Sequence, residues 1–238
     1  MSTWQEMTAA DLGRGIDTGE IDPVELTQFF LDAIDTHEYK DRIYARVTPD
    51  RALSEASAAQ DRARLKLRRS PLDGVPISWK DLFDTAGTVT EAGSKLLAGR
   101  VPDTDAEVLQ AATQSGTVCL GKTHLSELAF SGLGLNPKTA TSPNIHNPDN
   151  APGGSSSGAA TSVAYGLAPA AIGSDTGGSV RVPSAWNDLV GLKTTSGVLS
   201  LTGAVPLASK FDTVGPLCKS VEDEALLYAI MNGERAID

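Results

Sequence analysis

From Asp73 onward the chain alternates short apolar runs with stretches of helical period: "GVPISWK", "DAEVLQAATQSG", "TVCLGKT", "SSGAATSVAYGLA" and "PAAIGSD". Short buried strands interleaved with amphipathic helices argue for an α/β layered fold in which helices cover a sheet. The first third reads instead as helical. Asp22 supplies a cap, Pro23 the first helical position and Glu25 an acid in the first turn, opening "VELTQFFLDAIDTH". A second, alanine-rich helix is expected at about Arg51 to Leu65, and a late one over "SVEDEALLYAIMNG", with a serine cap and an acidic first turn. The expected organisation is one domain overall, with residues 1–70 a helical segment packed on a core of residues 71–238. No internal repeat or interdomain linker is visible.

Length and composition narrow the function. With 238 residues the chain can bury a substantial core. Its formal charge of -10 opposes nucleic acid, and the densest basic run, Arg62 to Ser70, reads as a solvated helix end. No run approaches membrane-spanning length, and the start of the chain carries no export signal, so the cytoplasm is the expected location. Cys119 and Cys218 stand far apart in apolar contexts, which suits buried thiols. His37, His124 and His146 show no metal-ligand spacing.

Three loops of small residues offer three chemistries. Gly116 to Thr123 satisfies G-x-x-x-x-G-K-[ST], but a helical pattern precedes Gly116 and "TVCL" is itself strand-like, where a phosphate loop needs a strand and then a flexible turn. Gly116 reads as a helix C-cap and Lys122 as a strand-end residue. Gly154 to Gly158 matches G-x-S-x-G around Ser156, yet "HNPDNAP" before it cannot be a strand and no histidine follows His146. The third loop, "GSDTGGSVRVPSAW", follows the apolar "APAAI". Strand, glycine turn and serine together expose a hydroxyl beside the amides of Thr176, Gly177, Gly178 and Ser179, as an oxyanion requires.

A serine needs a base, and without a suitable histidine that base is a lysine or a carboxylate. Lys80 ends the apolar "GVPISWK" and would be carried inside by a buried strand, where burial lowers an amine's pKa. Two readings stand at this point: a base, or a structural lysine paired with Asp81, which spacing alone favours.

Together, "GVPISWKD", "PGGSSSGAA" and "GSDTGGSVRVPSAW" resemble the three ordered motifs of the amidase signature family of serine hydrolases. The intervals, 75 residues from Lys80 to Ser155 and 24 from Ser155 to Ser179, are of the size that family uses. "GKTHLSELAFSGLGLNP" and "VGLKTTSGVLS" extend the similarity from about Leu72 to the last helix. The resemblance implies a mixed central sheet with helices on both faces, and a chain that lacks the family's C-terminal part. It implies Ser179 as the acylated nucleophile, Ser155 as a bridging serine on a cis Gly154–Ser155 peptide, and Lys80 as the general base. The oxyanion would then meet the amides of Thr176, Gly177, Gly178 and Ser179. Asp175 and Arg181 match family positions as supports of the loop backbone. Ala129 and Ser131 fall where relatives line the acyl pocket, with plain packing an equal alternative. Ser156 and Ser157 are expected to cap the following helix.

The implied activity is hydrolysis of a carboxamide to an acid and ammonia or an amine, with no metal and no organic cofactor. The partners expected are a small amide substrate and either a second copy of the chain or a completing polypeptide, with no nucleic acid and no membrane. Two alternatives differ in class: the amidotransferase subunit that supplies ammonia for amidating glutamate on transfer RNA, and an inactive truncated fold. "GGSSSGAA" and "AFSGLGLNP" lean towards the stand-alone enzymes.

Overall fold

A computed structural model describes residues 3–233 of the protein. Helices α1 (Ala9–Thr18), α2 (Pro23–Thr36) and α3 (Lys40–Ile43) lead into strand β1 (Tyr44–Val47) and helix α4 (Pro49–Arg64). Next come β2 (Pro76–Lys80), α5 (Glu107–Gln114), β3 (Val118–Thr123), α6 (Ser157–Ala164) and β4 (Ala170–Asp175). The described chain closes with α7 (Arg181–Trp186), β5 (Val190–Gly191), β6 (Thr213–Cys218) and α8 (Val221–Met231).

The strands form one mixed sheet in the order β1-β3-β2-β4-β6-β5, covered by helices on both faces. β2 runs parallel to β3 and to β4, whereas β1, β5 and β6 pair antiparallel. Every residue of β2, β3 and β4 is buried, as a parallel sheet covered on both faces demands. The core is continuous across the chain, joining Leu12, Leu26 and Phe30 to Ile77, Trp79, Leu120 and Ile230.

Local signals placed several elements. The Asp22 carboxylate accepts from the Val24 and Glu25 amides with Pro23 behind it, and the Ser220 hydroxyl accepts from the Asp223 amide. Residues 1–70 are not wholly helical, however. They contribute β1 to the sheet edge, in a four-residue "YARV" too short and too basic to show strand alternation. The phosphate-loop match falls in β3, with Gly116 in the left-handed region just past the end of α5. Cys119 and Cys218 are both buried and free. Among the described residues, no helix is long and apolar enough to cross a membrane.

Candidate active site

The adjacent parallel strands β2 and β4 end at the same edge of the sheet, where α/β proteins place their ligands. Lys80 is the last residue of β2, and Ser174 and Asp175 end β4. The Lys80 ammonium is fully buried and donates to Ser155 Oγ at 2.7 Å and to Ser174 Oγ at 2.9 Å. Burial pulls it down to about 7, against the opposing charges of Asp175 and Asp212.

Asp81 does not take Lys80, so the pairing favoured by spacing is not formed. Its carboxylate accepts from Lys122 Nζ at 3.0 Å and lies 3.6 Å from the Arg46 guanidinium. Trp79 is in register with Lys122, so alternation along β2 sends the two lysines to opposite faces. Lys122, a strand-end residue by sequence, is thus fully buried and also donates to Thr90 Oγ1.

Ser155 follows a cis Gly154–Ser155 peptide and is fully buried. The Gly154 and Gly153 amides donate to the carbonyls of Gly132 and Leu133, and the Ser155 carbonyl accepts from the Ser126 amide. Gly154 is required here by close approach, since a Cβ on it would lie 2.5 Å from the Gly134 nitrogen. Ser156 occupies the N-cap position of α6 but does not cap it. Its hydroxyl donates to the Ser174 carbonyl and accepts from the Ser174 amide, tying the loop to β4. Ser157 is the first residue of α6, and its hydroxyl reaches the His124 carbonyl at 3.5 Å. The expectation that these two serines cap the helix therefore fails, because their hydroxyls are engaged by the Ser174 backbone and the His124 carbonyl instead.

Ser179 sits between β4 and α7, 8% exposed against 0% for Lys80 and Ser155, so it is the member of the three that solvent reaches. Its hydroxyl makes no hydrogen bond to any described residue, while its carbonyl accepts from the Ser156 amide at 3.1 Å. The Asp175 carboxylate accepts from the amides of Gly178 at 2.7 Å, Val180 at 3.1 Å and Arg181 at 3.3 Å, and from the Arg181 guanidinium at 3.0 and 3.1 Å. Burial pushes the Asp175 carboxyl up, but these bonds outweigh it and hold it below the usual range. Gly178 is thereby withdrawn from the expected oxyanion donors, its amide being committed to Asp175. The amides of Thr176, Gly177 and Ser179 find no acceptor among the described residues. A Cβ on Gly177 would meet nothing within 4 Å, so the loop is open on that side of Gly177.

The family model for amidases matches residues 25–238. The chain belongs to the amidase family. Among curated relatives, a glutamyl-tRNA(Gln) amidotransferase component from Marinobacter nauticus is 40% identical over 95% of this chain and 47% of its own length. The corresponding component from Anaeromyxobacter dehalogenans is 42% identical over 94% of this chain and 45% of its own. The native peptide amidase of Stenotrophomonas maltophilia superposes with a TM-score of 0.88 at 38% identity, covering 98% of this chain and 48% of that one. A component of a vestigial protein complex linked to the origins of an s-triazine catabolic enzyme superposes at 0.91 with 33% identity, over 98% and 50%. The chain spans about half the length of the curated relatives it matches.

In this amidase-family chain a cavity of about 240 Å³ opens beside Ser174, walled by Leu82, Ala129, Leu201, Val205, Leu207 and Asp212 among others. Ala129 lines it, but Ser131 does not: its hydroxyl accepts from the Leu133 amide and its carbonyl from Ser126 Oγ. Leu128 and Ala129 both adopt the left-handed conformation, unfavourable for residues with a Cβ, where the chain passes along the cavity wall. Sequence reasoning missed Ser174 and Asp212. The "GSD" before the Ser179 loop carried a signal for Ser174, because it ends the strand beside the one that ends at Lys80, one residue beyond the position level with Lys80. Asp212, in "SKFDTV", carried none.

Proposed function

We propose that the protein hydrolyses a carboxamide through an acyl-enzyme on Ser179, and that the observation carrying this reading is the buried, hydroxyl-bonded Lys80 with its pKa at about 7. Neutral Lys80 takes the proton of Ser155 as Ser155 Oγ takes that of Ser179, and Ser179 Oγ forms a bond to the amide carbon. The carbonyl oxygen becomes an oxyanion facing the amides of Thr176, Gly177 and Ser179. Losing one such donor typically costs on the order of 10²- to 10³-fold in rate. On collapse the C–N bond breaks, and the leaving nitrogen takes up the proton that Ser179 gave, passed from Lys80 through Ser155. Water then gives a proton to the same relay, its oxygen attacks the acyl carbon, and Ser179 leaves reprotonated with the carboxylic acid. Asp175 holds the loop and Arg181 holds Asp175, while the cavity beside Ala129 receives the acyl group.

The experiment is labelling by a serine-directed fluorophosphonate, together with an ammonia-release screen over aliphatic, aromatic and dicarboxylic amides. Ser179→Ala must lose both label and turnover; a labelled variant refutes the assignment of the nucleophile. An unlabelled wild-type chain would favour the inactive fold.

A second reading has its own support. The curated relatives at about 40% identity are amidotransferase subunits, so ammonia released from glutamine for a partner polypeptide is the alternative to a stand-alone amidase. Ammonia release from glutamine that appears only with partner polypeptides would select it.

A further inference from the structure

Asp212 lies 33 residues beyond Ser179, only 6% exposed, in the turn that enters β6. Its carboxylate gathers donors from two separate parts of the chain. Thr176 Oγ1 donates to Oδ1 at 2.5 Å, the Leu207 amide to Oδ2 at 2.9 Å, and the Ala208 amide to both oxygens at 3.0 Å. The amides of Phe211 and Asp212 in turn donate to the Ala208 carbonyl, closing the segment into a tight turn. Thr176 is the first residue past β4 and one of the three whose amides find no acceptor among the described residues. Leu207 and Asp212 are walls of the cavity. One acid therefore spans the two surfaces between which an acyl group would lie.

We propose that Asp212 is a positioning residue that clasps Thr176 to the Leu207–Ala208 wall and so fixes the oxyanion-binding amides relative to the acyl cavity. The proposal rests on the reading of Ser179 as nucleophile. A carboxylate is the fitting group, because all the converging partners are donors and only an acceptor with two free oxygens satisfies them together. Asparagine, almost the same shape, would turn an NH₂ against an N–H. The neighbouring Thr213 secures the other side of the joint, its hydroxyl donating to the Asp175 carbonyl at 2.6 Å. Thr176 without the clasp would keep only its covalent link to β4. The charge has a second consequence. The carboxylates facing Lys80 are Asp175 and Asp212, and both oppose the loss of its proton.

The experiment compares second-order rates of fluorophosphonate labelling between pH 5 and 9. Asp212→Asn is expected to slow labelling about 10- to 100-fold, the scale of a small misplacement of reacting groups. It should also move the acid limb to lower pH, which a purely structural turn residue would not do. Thr176→Val, which removes one hydroxyl and no charge, should slow labelling without moving the limb, and Thr176→Ser should restore most of the rate. If Asp212→Asn fails to fold, the two Thr176 variants decide. Wild-type rates and an unmoved limb in Asp212→Asn, with Ser179→Ala unlabelled, would overturn the clasp and leave the nucleophile standing. Equal rates in Thr176→Val and wild type would do the same. A wild-type chain that takes no label overturns both.

Discussion

Lys122 and Asp81 form a buried ion pair at 3.0 Å, and this pair is what leaves the neighbouring Lys80 with hydroxyls alone as hydrogen-bond partners. Two lysines and one acid meet within two adjacent strands, and the register gives the acid to the lysine on the far face. Removing one member of a buried pair strands the other charge at a cost of about 3 to 5 kcal/mol. Lys122→Ala should lose stability on that scale in denaturant unfolding, even though Asp81 keeps Arg46 at 3.6 Å. A loss typical of a surface substitution would mean that Arg46 suffices.

Lys80→Ala should behave in the opposite sense, losing activity by several orders of magnitude while keeping the fold. Only the neutral amine can act as base, so kcat/KM should fall tenfold per pH unit below a midpoint at about 7. The stability linkage has a defined sign. Lys80 is lowered in the folded state, so between about 7 and its unfolded value near 10.4 the unfolded chain binds the extra proton, and folding gains stability as pH rises. The cost of burying the charge is complete below pH 7 and is relieved towards pH 10. The stability of wild type relative to Lys80→Met should accordingly climb across that window and stay level below it. A flat difference from pH 6 to pH 10 would show that Lys80 keeps its ordinary pKa.

Asp175 and Arg181 touch one another, yet their substitutions should differ. Asp175→Asn sets an NH₂ against three amides and a guanidinium around the Ser179 loop, and should lower kcat/KM about 10- to 100-fold. Arg181 has half its side chain in solvent, and an exposed ion pair contributes about 0 to 1 kcal/mol. Arg181→Ala should cost less than about tenfold by that measure. Steady-state kinetics on both variants decide it. A larger loss for Arg181→Ala would move the arginine into direct contact with substrate.

The parts of this site legible in the sequence are those encoded locally. A strand that ends in Lys80, a glycine pair before Ser155 and a glycine turn before Ser179 each appear within a dozen residues, and the sheet brings them to one edge. What was not legible depends on distance along the chain. That Lys122 takes Asp81 follows from the register of β2 against β3, which no run of residues announces. That Asp175 takes the Gly178 amide depends on how tightly the loop turns. β6 is interrupted in sequence by Gly215 and Pro216 and carries no clear strand signal, although all its residues are buried and it pairs along the whole of β4. Asp212 stands at its entrance and inherits that invisibility.

On the proposed reading, the cavity sets a limit on the acyl group. At about 240 Å³ it exceeds the ~150 Å³ that suffices for benzene, and its walls are mostly aliphatic, with Ser174, Ser209 and Asp212 as the polar residues, of which Ser174 and Asp212 are already engaged. Short aliphatic or single-ring acyl amides should therefore be preferred over long chains in an ammonia-release assay. Ala204, on the wall and bridged to Phe83, is placed to narrow the space without touching Lys80, Ser155 or Ser179. Ala204→Leu adds three carbons to that wall. The kcat/KM for an aromatic amide should fall by about 10- to 100-fold, the range of differential binding for a few methylenes, while acetamide is hydrolysed at close to the wild-type rate. Equal losses for both amides would place the acyl group elsewhere.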